Sequence, residues 1–588
     1  MPVKFWISAV VSTAIVAWAA DTRLADAAEH NDVPAVQSLI AEKADVNAPQ
    51  GDGTTALHWA AFNDNLQMAR MLVAAGANVK ATTRDGAITP LFMAAKNGDA
   101  KMIELLLQYG ADANSTDERG TTALMTAAAS GSADAVRVLI EHGADVNAKE
   151  GAHGQTALMF AAALNRADAI KALLDAHADP DVTTRAVKVV VPRTPRFQDK
   201  PAADAKPASA DANADKSALD ALAAGMGLKS AEYNPGTDSN LRAMVAKLST
   251  KIDEIEKRLP GEKSKPGQDS NGGMYGIIRE RGTSDMGGMT ALLFAARDGQ
   301  MDAARALLQG GADINQVSVS EKTSPLVLAV MNGHYDLAKF LVDWGADPNL
   351  QNEQGLTALY ATIDVQWAPR GWFPSPEVGQ EKISYLDLMK ALLADGANPD
   401  ARITKKLWFR SFGDHSWVDT AGATAFWRAA SSTDVAAMKL LVAGGANPDI
   451  ATFGGVTPLE AACGVGWAYH NSMNAPDYTW MDAAKYLVRL GADVNHVDDR
   501  GYTPVHGAAY IGNNELIQFL IDHGADVKAV AKDKNTVADM ANGPTRFGIP
   551  HAETVAFLEK LGSANSHNCR SDQCLVAPKE DKKKPTGN

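Results

Sequence analysis

Cysteine is scarce in this chain, 3 in 588 residues, and aromatic side chains make up only 6% of it. Cations are also in deficit: 56 Lys plus Arg stand against 70 Asp plus Glu, a formal net charge of −14, and no region is strongly basic. A protein that displaces counterions from phosphates needs clustered cations, so DNA and RNA are excluded as expected partners. Beyond the first twenty residues no apolar stretch approaches the roughly 20 residues that span a bilayer, and the protein is not expected to be membrane-embedded. Motifs of chemistry are missing too. There is no H-E-x-x-H, G-x-x-x-x-G-K-[ST], G-x-S-x-G or C-x-x-C-H, which removes the common zinc, phosphate-loop, serine-nucleophile and haem-attachment readings. The 13 His are scattered, and neither a metal nor another cofactor is expected. Asp364, Glu377, Asp414 and Asp477 are left as the candidates for a paired-carboxylate hydrolase.

What is present begins with an export signal. Lys4 precedes an apolar core over 5–17, and Ala17-Trp18-Ala19 offers a cleavage site before Ala20. Residues 1–19 are therefore read as a signal peptide, placing the protein in the periplasm or outside the cell. No Cys follows the apolar core, so a lipid-modified N-terminal Cys is excluded. Export permits disulfides. Cys569 and Cys574 enclose four residues in the polar tail 566–588, and a local bridge is expected; a metal clip with His567 would leave a zinc site one ligand short. Cys463, in the middle of an Ala-rich helix, reads as a buried, inert thiol.

A repeat organises the rest. A Thr, once Ser, followed by a small or Pro residue occurs at Thr55, Thr89, Thr122, Thr156, Thr290, Ser324, Thr357, Thr424, Thr457, Thr503 and Thr536, and the first four are spaced by 34, 33 and 34 residues. Each unit then carries Ala-Ala or its like, an apolar helix and a Gly-Ala-Asp/Asn-x-Asn/Asp close. Thr55-Ala56-Leu57-His58 and Thr503-Pro504-Val505-His506 open two such units, and Gly143-Ala144-Asp145-Val146-Asn147 closes another. This pattern resembles the ankyrin-repeat family, and with the signal the whole resembles exported bacterial ankyrin-repeat proteins. The resemblance implies an all-α repeat solenoid of about twelve ankyrin units, each a helix-turn-helix plus a β-turn finger. The Thr would cap the first helix and the Gly would end the second in a left-handed conformation. No helix pair buries its apolar face alone, so stacked neighbours supply the stability.

The domain reading is units one to five over 20–182, with residues 21–47 as the N-terminal cap, and units six to twelve over 285–565. Between them lies an insertion, 183–284, partly disordered, with an amphipathic helix at 240–259. Units five and six are both as apolar as interior units, so five is expected to stack directly on six with the insertion looped out. A ribbon pairing 186–191 with 275–279 is expected at its base. Further inserts fall at 365–384, 464–480 and 543–550 between the helices of units eight, ten and twelve. Another, at 402–418, lengthens a finger and reads as a hairpin turning near Gly413-Asp414.

Of 11 Trp, seven lie between 367 and 480, most of them in these inserts. Trp367, Trp372, Phe373, Trp408, Phe409, Phe412, Trp417, Trp467, Tyr469, His470, Tyr478 and Trp480 form the aromatic candidate site. They either pack as a small roof over the array or recognise a protein, glycan or small apolar ligand. The family resemblance implies a second site, on finger tips and first helices of the concave face: Phe62, Ile88, Lys96, Met289, Met331, Leu356, Tyr502 and Tyr510. The expected function is a non-enzymatic, monomeric scaffold for a protein partner outside the cytoplasm, with glycan or small-ligand binding by the aromatic inserts as the alternative.

Overall fold

A computed structural model describes residues 21–190, 283–367, 378–407, 418–467, 473–543 and 548–566. The signal peptide, most of the 183–284 insertion including 240–259, and Cys569 and Cys574 lie outside them. So do Trp372, Phe373, Trp408, Phe409, Phe412, Trp417, Tyr469 and His470.

The described residues fold as an all-α repeat solenoid of twelve helix pairs, from Arg23–Glu29 with Val33–Ala41 to Val537–Ala541 with Ala552–Lys560. Capping delimits each pair. Thr89, in extended conformation, accepts the Phe92 amide on its hydroxyl at 3.3 Å, and Pro90 occupies the first helical position, where no amide partner is needed. At the far end of Leu66–Ala74, Gly76 takes φ +93° and the amides of Gly76 and Ala77 turn back to the carbonyls of Val73 and Leu72. That Schellman close needs a left-handed residue, which Gly supplies without strain.

Each first helix packs on the first helices before and after it, and each second helix on its own partner and, in most units, on neighbouring second helices. Leu57, Leu72, Leu91, Leu106 and Leu124 are at most 1% exposed along this continuous core. Fully burying one such side chain stabilises by about 1.5–3 kcal/mol, a gain no isolated unit can collect.

The fingers add a ladder of one backbone hydrogen bond per neighbouring pair. It starts with Arg84 N–H to Asp52 O (2.7 Å) and continues through Gly151 to Arg119 (2.7 Å) and Phe453 to Ala421 (2.8 Å) to Lys532 to Arg500 (2.8 Å). Unit five is stacked on unit six. Ala157–Ala163 packs on Ala291–Arg297 and Ala167–Asp175 on Met301–Gln309. Asp313 N–H reaches Asp181 Oδ1 at 3.0 Å, the same bridge that joins other units, as from Asp347 to Asn315 at 2.9 Å. The insertion leaves through a finger, between Arg185, which donates to His153 O at 2.7 Å, and Gly288, which accepts from Val319 N–H at 3.1 Å. The ladder therefore continues from unit five into unit six.

Two expectations need correction. At the base of the insertion Val187–Val190 pairs antiparallel with Thr283–Met286, the place expected for 275–279, which lie outside the described residues. The register is set one step lower, where Thr184 and Met289 exchange hydrogen bonds of 3.0 and 2.9 Å. Cys463 does not lie mid-helix: Pro458–Ala462 ends just before it because Gly464 turns left-handed at φ +101°. The thiol is buried, and burial pushes its pKa up.

Candidate interaction surface

The first helices present two positions beside the fingers, four and seven residues after the capping Thr or Ser. In units two to seven the fourth positions are Trp59, Met93, Thr126, Phe160, Phe294 and Leu328, and all but Phe294 are half-buried. Among the seventh positions, Phe62 is 45% exposed, and Lys96 and Arg297 are exposed. Trp59 and Phe62 meet edge to face at 5.7 Å, and the Trp59 indole donates to Gln50 Oε1 of the neighbouring finger at 2.8 Å. This is an apolar strip that remains open.

From unit eight onward most of these positions are shut, with Arg428 and Ser431 of unit nine half-buried. Ala361, Asp364, Ala461, Gly464, Gly507 and Tyr510 are all buried. In unit eight Asp364 meets Arg428 of unit nine at 2.7 Å, with side chains only 4% and 11% exposed. The guanidinium also donates to the Trp367 carbonyl at 2.9 Å, to Ser431 Oγ at 3.2 Å and to Ser432 Oγ. Trp367 then turns its indole N–H to Asp434 Oδ2 at 2.8 Å, where the Tyr385 hydroxyl also donates at 2.9 Å. Asp434 uses its other oxygen to cap Val435–Ala443 through the Ala437 amide at 2.9 Å. Burial, then the Asp434 carboxylate, raises the Tyr385 pKa, so the phenol stays protonated as the donor. The far side of the unit-eight insert is tied down as well: Glu381 Oε2 accepts the Asp336 amide at 2.6 Å, and Asp336 Oδ1 accepts the Ile383 amide at 3.1 Å.

In units ten and eleven the seal is steric. A Cβ on Gly464 would lie 2.7 Å from Ile511 Cγ2, and one on Gly507 would lie 2.7 Å from the Val465 amide nitrogen. Glu460 stands where units two and eleven carry His58 and His506. It caps its own helix by accepting the Thr457 amide at 2.6 Å, and it faces His496 at 3.3 Å. Burial raises the Glu460 pKa, and the Glu460 carboxylate raises that of His496. His506, buried without such a partner, is lowered to about 4.

The predicted site residues divide accordingly. Of the aromatic set, Trp367 is buried, and Trp467, Tyr478 and Trp480 are half-buried against the core, with Trp467 edge to face on Trp480 at 4.7 Å. The unit-eight loop and the long finger are rooted at opposite ends of their helix pairs: Trp367 continues Ala358–Gln366, whereas Arg402 bridges to Thr424. Of the concave-face set, Phe62, Ile88, Lys96 and Met289 reach the surface at least in part. Met331, Leu356, Tyr502 and Tyr510 do not; they are 7%, 0%, 6% and 3% exposed. Tyr502, the residue before Thr503, is held by the next finger, its hydroxyl donating to Asp533 at 2.6 Å. Asp364, considered above for carboxylate chemistry, is neutralised by Arg428. Sequence reasoning passed over the fourth position (Trp59, Met93, Phe160, Leu328), although counting from each Thr reaches it. It also passed over Arg428, visible as the one charge in an Ala/aromatic first helix.

Among the described residues no cluster of His, Cys, Asp and Glu could hold a metal ion, and no helix is long and apolar enough to cross a membrane. The family model described as "Ankyrin repeats (3 copies)" matches residues 24–117, 91–184, 272–352 and 473–559, over half of the chain. The chain belongs to the ankyrin-repeat family. Among curated proteins this ankyrin-repeat chain is 30% identical over 132 residues to protein phosphatase 1 regulatory subunit 12A of Rattus norvegicus, 22% of this chain and 11% of the relative. It is 36% identical over 84 residues to palmitoyltransferase ZDHHC13 of Homo sapiens, 14% of each chain. Palmitoyltransferase ZDHHC17 of Homo sapiens matches at 33% over the same length, 14% of this chain and 13% of that one. The ankyrin-repeat chain thus spans little more than a tenth of the length of these relatives.

Proposed function

We propose that this ankyrin-repeat protein is a non-enzymatic scaffold that holds a protein partner on the open strip of units one to seven. One observation carries the reading. Apolar side chains recur half-buried at one register of the array, at Trp59, Met93, Phe160 and Leu328, while equivalent positions further on are sealed by the chain itself. Apolar side chains that recur partly open to solvent on one face, here interrupted at Thr126 and Phe294, mark a protein contact. The relatives support the same reading, since one is a regulatory subunit and the similarity to the palmitoyltransferases covers a small part of each. Export through residues 1–19 is part of the proposal, resting on Lys4, the apolar core and Ala17-Trp18-Ala19; N-terminal sequencing of the mature protein should begin at Ala20.

A photo-crosslinking residue placed at Met93 in the native compartment tests the site. It is expected to trap one discrete protein, which Phe160→Asp releases and a crosslinker at the exposed Trp344 does not trap. Equal trapping from both positions would remove the strip as the binding surface.

A further inference from the structure

The chain contains a worked example of how its own first-helix face accommodates a carboxylate. At units eight and nine, Asp364 stands at the seventh position and receives a guanidinium from the fourth position of the next unit, Arg428, at 2.7 Å. At units one and two the same register again places acid beside the next unit's fourth position, but the occupants differ. Counting from Thr22, unit one carries Asp26 at the fourth position and Glu29 at the seventh, and unit two answers with Trp59 and Phe62.

No cation sits between them. The side-chain amide of Gln50 does: Nε2 donates to Asp26 Oδ1 and to Glu29 Oε2, both at 2.8 Å, while Oε1 accepts from the Trp59 indole at 2.8 Å. One neutral amide thus holds two carboxylates and an indole around a single point. Glu29 and Phe62 are exposed, and Asp26 and Trp59 are half-buried. Asp26 Oδ2 also accepts from the Thr22 hydroxyl at 2.9 Å, but neither carboxylate has a Lys, Arg or His within 4 Å among the described residues; Arg23 pairs with Asp21 at 2.7 Å instead. The next basic residue on this register is Lys96, one unit on.

We infer that Asp26, Glu29, Trp59 and Phe62 form a pocket for an arginine side chain of an extended partner segment, the partner supplying the charge that Arg428 supplies internally at units eight and nine. A planar guanidinium suits this site better than an ammonium. It can donate to the carboxylates along its edge while its face lies on the indole. Each interaction alone is modest at a wet surface, but together they make an anchor of the kind that dominates interfaces. The inference rests on the proposed use of the open strip and deepens it by naming the chemistry of one end.

The test uses the full chain and two fluorescein-labelled nonapeptides of glycine and leucine that differ only in a central arginine or citrulline, read by anisotropy. Citrulline keeps the shape and removes the charge. The arginine peptide is expected to bind about tenfold more tightly than its citrulline counterpart. Asp26→Asn with Glu29→Gln should bring both to the same affinity, and Trp59→Leu should weaken the arginine peptide about fivefold. Glu141→Gln with Asp175→Asn removes equal charge from exposed positions on second helices and should change nothing, which separates a pocket from general attraction to an acidic protein. Equal binding of the two peptides, no binding of either, or indifference to the Asp26/Glu29 variant overturns the pocket. A partner trapped at position 93 that ignores the Asp26/Glu29 variant but is lost with Phe160→Asp would overturn the arginine pocket while leaving the wider strip in place.

Discussion

Units two and nine occupy the same place in the repeat and meet opposite fates. Trp59 and Phe62 stand open beside carboxylates bridged by an amide, whereas Arg428 is closed over by Asp364, Trp367 and two serines. The backbone is the same in both, a short capped helix leaning on its neighbours. What differs is whether material inserted elsewhere in the chain reaches back to that face. The unit-eight insert covers it and anchors on unit nine through Asp434. In units two to five the described residues leave the fourth positions, Trp59, Met93, Thr126 and Phe160, only half-buried. The insert between the helices of unit eight therefore uses up binding surface through Trp367, and the ladder of finger hydrogen bonds continues on both sides of the insertion that leaves after Val190.

The sealed region is the more fragile under substitution. Arg428→Met strands Asp364 in the interior, and loss of one partner of a buried ion pair costs about 3–5 kcal/mol. Denaturant unfolding followed by hydrogen exchange should place that loss in units eight to ten and spare units two to four. An equal loss throughout would mean the two regions are not separable. Trp367→Phe keeps the ring and deletes the indole donor to buried Asp434, with an expected cost of about 1–3 kcal/mol confined to the same units.

The unit ten–eleven junction should respond to pH. The folded state holds the His496 proton more tightly than the ordinary imidazole does, so its contribution is complete below the ordinary value of 6.5 and is lost as pH rises through the higher folded value. Glu460, raised by burial, acts in the same sense, favouring the folded state at lower pH. Amides of Trp480–Arg489 and Pro504–Tyr510 should exchange more slowly at pH 6 than at pH 8 after correction for intrinsic rates, and His496→Gln should remove most of the difference. His506, lowered to about 4 by burial, acts in the opposite sense: its contribution is complete above about 6.5 and is lost as pH falls towards 4, so it offsets part of the gain from His496 at pH 6.

The smallest effect belongs to the open end. Asp64 is raised to about 6, first by its hydrogen bond to Asp99 and then by burial, so the pair favours folding at low pH and loses that contribution as pH rises through about 6. Asp64→Asn keeps a residue that tolerates the left-handed φ of +54° there. It should stabilise by no more than about 1 kcal/mol at pH 7.5 after solvent screening, and by nothing measurable at pH 4. A gain that persists at pH 4 would assign the effect to backbone preference instead.

Much of this was legible in the residues. Thr55 through Thr536 mark the first helices because a hydroxyl cap is a local requirement. The closing Gly marks the second because only a left-handed residue completes that turn. His177 could stand in for Gly in unit five at φ +63° without disturbing the count. The surface was less legible. Met331 and Phe160 look alike as apolar side chains on Ala-rich helices, yet one is buried and the other half-open. Tyr502 reads as a finger aromatic free to contact a partner, but its hydroxyl is taken by Asp533 of the following finger. The ribbon at 187–190 slipped away from 275–279 because its register is inherited from Thr184 and Met289 rather than from the apolar pattern of the strands.

The sequence by itself determined the repeat, its caps and the membership of the family, since each rests on interactions within a few residues and recurs many times. Only the tertiary structure decided which first-helix positions remain available, because that depends on contacts such as Asp364 with Arg428, 64 residues apart, and on inserts whose landing places no local signal encodes. Capping energies are short-ranged and written in adjacent residues. Exposure is what remains after every distant segment has taken its place.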